Sequence, residues 1–292
     1  MESIAIIQLA ANSPAVFILY TFLISLLVGS FLNVVIYRLP VMMEREWRRD
    51  VELALNPNSE PSGGDVFNLI KPDSTCPNCQ HKIRAWENIP VVSWLILGRK
   101  CGSCKTLIPA RYPAVELLTA VLSALVAYQL GWGVAAIAFV VATWLLVAMT
   151  FIDFDKMLLP DSLTLSMLWL GLGVSCFDST LSPTDAIIGA IAGYLSLWSV
   201  CMGYKLITGK EGMGYGDFKL LSAIGAFVGW QHLPIVILLS SFVAAVVGIT
   251  LMLVQRKGRA LAIPYGPYLA GAGWLTMLYG EAIADWYVAS FF

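Results

Sequence analysis

Eight apolar stretches of about 20 residues recur along this chain, and they constrain its fold more than any other feature. They fall near residues 14–36, 113–130, 134–151, 162–177, 184–207, 219–232, 234–254 and 264–280. A helix of about 20 apolar residues crosses the hydrocarbon core of a bilayer. Because 58% of the 292 residues are hydrophobic and only 13% are charged, the composition does not fit a water-facing surface. The sequence therefore predicts an all-α polytopic membrane protein with about eight transmembrane helices.

The basic residues predict how these spans are oriented. All 18 lysines and arginines map to segments on one side of the predicted bilayer, and eleven of them lie between Arg38 and Arg111. The positive-inside rule makes that side cytoplasmic. No basic residue precedes the first apolar span, so we expect a retained anchor and not a cleaved signal peptide. An even number of crossings then puts both termini outside.

Three regions follow from this arrangement. Residues 1–40 are predicted to form the first transmembrane helix, and residues 41–112 a cytoplasmic loop domain between the first and second helices. Residues 113–292 are predicted to form a seven-helix core in the membrane. The loop domain is the only excursion long enough to fold outside the bilayer.

Two C-x2-C pairs lie in this loop, Cys76 with Cys79 and Cys101 with Cys104, and 21 residues separate them. Two residues between cysteines let a tight turn present both thiolates to one ion, and two such turns complete a tetrahedral site. A reducing cytoplasm disfavours disulfides, which leaves redox-active pairs as the alternative. His81 could replace one cysteine, but four thiolates already fill the coordination shell. We expect a zinc-ribbon-like loop with one structural zinc ion.

Acidic residues at the cytoplasmic membrane edge are candidates for chemistry, because charged groups at membrane depth are costly. Asp153 ends the third span, and Asp217 follows a glycine-rich segment after the fifth. Two crossings separate these residues, so both lie on the same side and are able to meet. Two neighbouring carboxyl groups let one activate water while the other protonates a carbonyl oxygen. The pair suits a protease that acts at the bilayer surface, and the alternatives are a snorkelling interfacial acid, a helix cap or a glycine-rich helix break.

Other acids near the membrane edge have simpler interpretations. Asp161 follows Pro160 and precedes an apolar run, so helix capping is its favoured role. Asp155 beside Lys156 is interpreted as a solvated charge. Glu116 is expected to pair with a neighbouring base, and an active-site role is the alternative.

Six segments together resemble the bacterial type IV prepilin leader peptidases, bifunctional enzymes that serve type IV pili and type II secretion. The segments are Gly29–Pro40, the paired C-x2-C loop, Arg111–Leu117, Asp153–Asp161, Gly214–Asp217 and Ile263–Tyr268. The resemblance covers nearly the whole chain and implies Asp153 and Asp217 as the catalytic aspartates. Support for the active site is expected from Gly214, Gly216, Pro160 and Lys219.

The resemblance also implies a substrate, a cofactor and a location. The enzyme would remove a short basic leader from type IV prepilins and pseudopilins, after a Gly and before a Phe or similar residue. It would then methylate the new amino terminus with S-adenosylmethionine. No glycine-rich fingerprint marks a site for this cofactor, and the loop around Gly98, Arg99 and Lys100 is the expected contact. The expected setting is the bacterial inner membrane, with lipid and no nucleic acid as partner.

Two other classes of protein remain as alternatives. A transporter would use membrane acids to relay protons, but it should carry polar groups near the midplane and paired broken helices. A non-catalytic scaffold would use the zinc loop alone in a secretion complex, which leaves the Asp153 and Asp217 pair unexplained.

Overall fold

The computed structural model describes residues 13–56, 67–177, 181–210, 212–255 and 263–291. Within these ranges the chain is helical, with isolated β-bridges in place of strands. The helices are α1 (Pro14–Leu55), α2 (Val92–Ile96), α3 (Arg111–Leu130), α4 (Val134–Lys156), α5 (Asp161–Ser175), α6 (Pro183–Thr208), α7 (Tyr215–Val228), α8 (Leu233–Gln255) and α9 (Gly266–Phe291). The predicted all-α class is confirmed, and every helix except the short α2 corresponds in order to a predicted span.

Five helices, α1, α3, α4, α6 and α8, are long and apolar enough to cross a membrane. The chain is therefore a multi-pass membrane protein. Helices α5 and α7 have 15 and 14 residues, which is shorter than the length of about 20 residues that spans a bilayer. The number of crossings, expected to be about eight, stays a prediction.

Helix α1 extends beyond the apolar stretch at its start. The sequence predicts that the span ends near residue 36, whereas the helix continues through Pro40 to Leu55. Glu44 and Arg48 stand one turn apart on this extension, and their side chains form an ion pair of 2.6 Å. A polar helix thus leads out of the membrane, and the boundaries proposed for the three regions stay a prediction.

The described chain divides into two compact units, of which one is Ile18–Ala124 and the other holds the remaining residues. In the first unit, α1 approaches α3 at Gly29, where an added Cβ would lie 2.7 Å from the Cα of Glu116. Near the end of the apolar part of α1, buried Arg38 donates to the carbonyl oxygen of Asn68 at 3.0 Å. The loop that follows α1 is thereby tied back to the helix.

The second unit is built around α7, which packs against α5, α6 and α9. Ten of the 14 residues of α7 are buried. Gly189 of α6 and Gly225 of α7 are so close that a Cβ on either would overlap the carbonyl oxygen of the other. Small residues let helix backbones approach closely in a membrane. The hydroxyl of Ser222 in α7 also donates to the Ala190 carbonyl at 2.8 Å, so the helix that carries Asp217 is held firmly.

Candidate active site and metal site

The four loop cysteines come together in the first unit. Their Sγ atoms all lie within 4.8 Å of one another, and all four thiols are free. Two of the separations are 3.8 Å, from Cys76 to Cys104, and 3.9 Å, from Cys79 to Cys101. Four sulfurs in a tetrahedron at about 2.3 Å from one zinc ion would be about 3.8 Å apart. The donor set therefore fits a tetrahedral metal ion.

Both C-x2-C pairs sit in the same kind of turn. In each, the first cysteine donates its N–H to the carbonyl oxygen five residues later and accepts from the N–H four residues later. The residue that donates, Gln80 in one turn and Lys105 in the other, has a positive φ of 59° or 60°. This repeat was not identified from the sequence. The turns hold the cysteines by backbone hydrogen bonds, so the geometry is encoded locally.

Glu87 links the two turns, and no sequence motif points to it. Its carboxylate lies 3.2 Å from His81 Nε2 and accepts the N–H of Arg84 at 2.9 Å. An added Cβ on Gly102 in the second turn would come within 2.5 Å of the Glu87 carboxylate. The Arg84 hydrogen bond lowers the pKa of Glu87. His81 thus has a carboxylate partner beside the cysteine cluster.

The segment expected to contact the methyl donor is a tight, exposed turn. Gly98 and Arg99 have positive φ values of 61° and 64°, and both are exposed together with Lys100. The Arg99 guanidinium lies over the Trp94 ring at 5.2 Å from its centroid. This arrangement presents positive charge beside an aromatic face, and the assignment of the methyl donor to it stays a prediction.

In the second unit the structure brings Asp153 and Asp217 together. Asp153 lies in the last turn of α4 and is only 5% exposed, while Asp217 lies in the first turn of α7 and is partly buried. Leu159 packs between the segments next to the two acids: an added Cβ on Gly216, which precedes Asp217, would be 2.8 Å from the Leu159 Cβ, and one on Gly266 would be 3.2 Å from the Leu159 Cδ1. The two carboxyl groups are near enough for their charges to interact. Two carboxyl groups so placed can hold one proton between them.

A backbone amide from a distant helix completes the surroundings of Asp153. The N–H of Gly266, the first residue of α9, donates to Asp153 Oδ2 at 3.0 Å. An added Cβ on Gly266 would come within 2.6 Å of the same oxygen. The sequence analysis identifies Ile263–Tyr268 as one of the segments that resemble the family, but it gives Gly266 no role. The glycine before Pro267 was the available signal, since glycine allows such a close approach.

Asp161 is not the helix cap that the sequence predicts. Pro160 occupies the cap position of α5, and no side chain caps the helix. The Asp161 carboxylate instead binds Lys219 Nζ, with both oxygens at 2.7 Å. The reason is that Lys219 stands in the first turns of α7, within reach of the start of α5. This ion pair connects α5, which Pro160 precedes, with α7, which carries Asp217.

The remaining supporting residues also lie at the start of α7. Gly214 is the cap residue of this helix, with extended backbone, and no side chain caps it. Gly216 follows within the first turn and packs against Leu159. Tight packing at this turn brings the backbone of α7 against the segment that links α4 to α5.

Among the residues that the structure describes, Glu116 binds a backbone amide and a hydroxyl and not the base that the sequence analysis expects. It is 8% exposed, and its carboxylate accepts the N–H of Val91 at 2.7 Å and a hydrogen bond from Ser30. Val91 has a φ of 59°, which is unfavourable for a β-branched residue. A buried carboxylate that binds this amide helps to stabilise the turn before α2.

Comparison with known proteins adds an independent observation. Residues 23–130 match the bacterial peptidase A24 N-terminal domain, and residues 139–249 match the type IV leader peptidase family. Three proteins named prepilin leader peptidase/N-methyltransferase illustrate the similarity. The Aeromonas hydrophila protein is 53% identical, and the match covers 98% of this chain and 99% of the relative. The Pseudomonas aeruginosa protein is also 53% identical, with 95% of this chain and 96% of the relative covered. The Neisseria gonorrhoeae protein is 47% identical, with 89% of this chain and 90% of the relative covered. No solved structure matches the chain.

Proposed function

The chain belongs to the prepilin leader peptidase/N-methyltransferase family, and from this membership we propose that Asp153 and Asp217 form its peptidase site. The resemblance inferred from six segments is confirmed, as is the function of prepilin leader cleavage and N-methylation. An enzyme is thereby favoured over the transporter and scaffold alternatives. The observation that supports the site assignment is that Leu159 packs against both Gly216, which precedes Asp217, and Gly266, which binds Asp153.

The proposed peptidase chemistry needs one ionised and one protonated carboxyl group. The ionised group takes a proton from water, and the oxygen of that water attacks the carbonyl carbon of the leader's last residue. The protonated group gives its proton to the carbonyl oxygen as the tetrahedral intermediate forms. Leu159 packs against Gly216 and Gly266, and these contacts keep the surroundings of the two acids tightly packed. Pro160 and Lys219 support this setting by fixing the start of α5 against α7.

We assign the cysteine cluster to zinc, held by Cys76, Cys79, Cys101 and Cys104. The sulfur separations support this assignment, because they suit a tetrahedral ion of that size. Four thiolates close the coordination shell, so the ion supplies folding free energy and no catalytic water. The metal is therefore expected to stabilise the loop.

S-adenosylmethionine is the expected methyl donor, and it supplies the methyl group for the new amino terminus. We place its contact at Gly98, Arg99 and Lys100. The cationic side chains of this exposed turn suit the carboxylate of the donor, and the tight backbone at Gly98 leaves open space beside it. A photo-crosslinking analogue of the donor should label this turn, and labelling confined to other segments would contradict the placement.

We propose that the protein lies in the bacterial inner membrane, with the peptidase site at the cytoplasmic face and both termini outside. The distribution of the 18 basic residues supports this orientation. Single cysteines at Ser62 and Ser179, positions outside the described residues, would test it in a cysteine-depleted protein. A membrane-impermeant thiol reagent should label position 179 in intact cells, whereas labelling of position 62 would overturn the orientation.

The function itself is tested by incubating the detergent-purified protein with a prepilin, and separately with a pseudopilin, in the presence of S-adenosylmethionine. Mass spectrometry should show loss of the leader after a glycine and one added methyl group on the new amino terminus. The oligomeric state can be measured on the same sample by its mass in detergent. A substrate that stays uncleaved by active, folded protein would contradict the proposed substrate class.

A further inference from the structure

The two carboxyl groups of the proposed site have different surroundings. Asp153 accepts a buried hydrogen bond from the Gly266 amide at 3.0 Å. In the described part of the chain, the side chain of Asp217 receives no such bond from a backbone amide or a side chain. A hydrogen bond to a carboxylate favours its ionised form, and repulsion between two neighbouring carboxylates leaves one negative charge for the pair to hold. The asymmetry suggests that the two groups have distinct roles.

The start of α9 leaves one amide directed at Asp153. Pro267 has no N–H, and the N–H groups of Tyr268 and Leu269 both donate to the Tyr265 carbonyl oxygen. The N–H of Gly266 is therefore the first-turn donor that remains for the Asp153 carboxylate. The positive end of the helix dipole also lies here, and it favours a nearby negative charge.

The amide is fixed in place by its neighbours. The Tyr265 hydroxyl lies 2.8 Å from the Ser240 hydroxyl of α8, and the Trp274 indole of α9 donates to Thr143 of α4 at 3.0 Å. Both contacts hold the start of α9 against the rest of the unit. Because a Cβ on Gly266 would overlap the Asp153 carboxylate, only glycine fits here without a shift of the pair.

Other charged groups near Asp153 do not supply this hydrogen bond. Besides Asp153, the charged residues on α4, on α5 and α9, which pack against it, and on α7 are Asp155, Lys156, Asp161, Asp217, Lys219, Glu281 and Asp285. Lys219 is bound to Asp161, and Asp155 and Lys156 are exposed. Glu281 and Asp285 stand far along α9 from Gly266. The amide is thus the group that favours a charge on Asp153.

We infer that Gly266 is a positioning residue that keeps Asp153 ionised, so that Asp153 activates the water and Asp217 is the proton donor. Asp153 takes a proton from water as the water oxygen bonds to the scissile carbon, and Asp217 protonates the carbonyl oxygen. Asp153 then gives its proton to the leaving nitrogen as the C–N bond breaks, and Asp217 recovers a proton from the new carboxyl product. This inference rests on the proposed peptidase site.

The sharpest test replaces the Gly266 amide by an ester, through incorporation of glycolic acid in the full-length protein. This removes the N–H and adds no atom. We expect a roughly ten- to hundredfold fall in kcat for leader cleavage with little change in KM, because one hydrogen bond to a charged group is lost. The acidic limb of the pH–rate profile should move to higher pH, because Asp153 would ionise less readily. The same ester at Gly271, in the same helix, is the matched control.

An unchanged kcat in the Gly266 ester would overturn the inference, as would a shift confined to the alkaline limb, which would make Asp217 the water-activating group. Gly266→Ala should lose cleavage and retain methylation of a peptide that already begins with Phe, and Gly271→Ala, which has open space around it, should keep both activities. Failure of this inference can be distinguished from failure of the proposed peptidase site. If the proposed site were wrong, the Asp153→Asn variant would still cleave the prepilin.

Discussion

The cysteine loop and the carboxylate pair assemble their sites in opposite ways. In the loop, each C-x2-C pair is shaped by one turn with its own backbone hydrogen bonds. In the helical unit, Asp153 meets an amide 113 positions along the chain and an acid on a third helix. The proposed metal site can thus be encoded by local spacing, whereas the proposed peptidase site exists only when several helices pack.

The two regions also differ in what holds them together. From residue 67 to residue 110 the only buried residues described are Cys76, Pro90, Ser93 and Cys101. Helix α7, in contrast, buries ten of its 14 residues. Because this region has so small a core, we expect the proposed metal to supply much of its folding free energy. The helical unit depends on close packing, so different perturbations should damage the two regions.

Metal removal should give the largest effect, confined to the loop. Purified protein should hold about one zinc ion per chain, and Cys76→Ser should release it, because three thiolates bind zinc more weakly than four. Structural zinc contributes roughly 10–16 kcal/mol in small domains, so the loop should unfold when the ion is lost. Metal analysis and hydrogen exchange of the loop would measure this, with Cys176→Ser as the control. Methylation should fall at least as much as cleavage. A folded, active sample without metal would show that the zinc assignment is wrong.

A change in helix packing should destabilise the helical unit and leave the cysteine loop intact. Gly225→Ala places a Cβ against the Gly189 carbonyl, so α6 and α7 must separate, at a cost of about 1–3 kcal/mol in the free energy of unfolding. Gly173→Ala, at a position with open space, is the matched control. Thermal unfolding in detergent would show the difference, and zinc content should stay the same. Equal stability of both variants would mean that the two backbones are not in close contact.

Glu87→Gln should weaken the metal site without removing a ligand. The change removes the charge that faces His81 and the Arg84 amide, and lost support around a metal site lowers affinity roughly 10–100-fold. Competition with a zinc chelator would measure it, and Glu46→Gln on the exposed extension of α1 is the control. If both variants hold zinc equally well, Glu87 does not stabilise the cysteine turns.

The fold class, the four cysteines and the two aspartates could be predicted because each leaves a local signal: an apolar run, a fixed spacing, or an acid at a span end. The contacts of Asp161, Glu116 and Gly266 could not. Asp161 looks like a cap in its own segment, and its ion pair needs Lys219 of another helix. Glu116 binds an amide 25 positions earlier. Such partners are set by packing.

Asp161→Asn should give the smallest effect. The change breaks the ion pair with Lys219. The Asp161 side chain is 58% exposed and that of Lys219 is 29% exposed, and exposed ion pairs contribute about 0.2–1 kcal/mol to the free energy of unfolding. Thermal unfolding and cleavage rates should therefore stay close to those of the unchanged protein. A loss of cleavage comparable to that of a dyad variant would instead place Asp161 among the catalytic groups.

The central claim is that Asp153 and Asp217 carry out cleavage, and one side-by-side measurement tests it. Asp153→Asn, Asp217→Asn and the neighbouring control Asp155→Asn are assayed for cleavage of a prepilin and for methylation of a peptide that already begins with Phe. Each dyad variant should lose at least about 10²–10⁴-fold in cleavage and retain methylation, while the control keeps both. Rapid cleavage by Asp153→Asn, or equal inactivation by Asp155→Asn, would contradict the account.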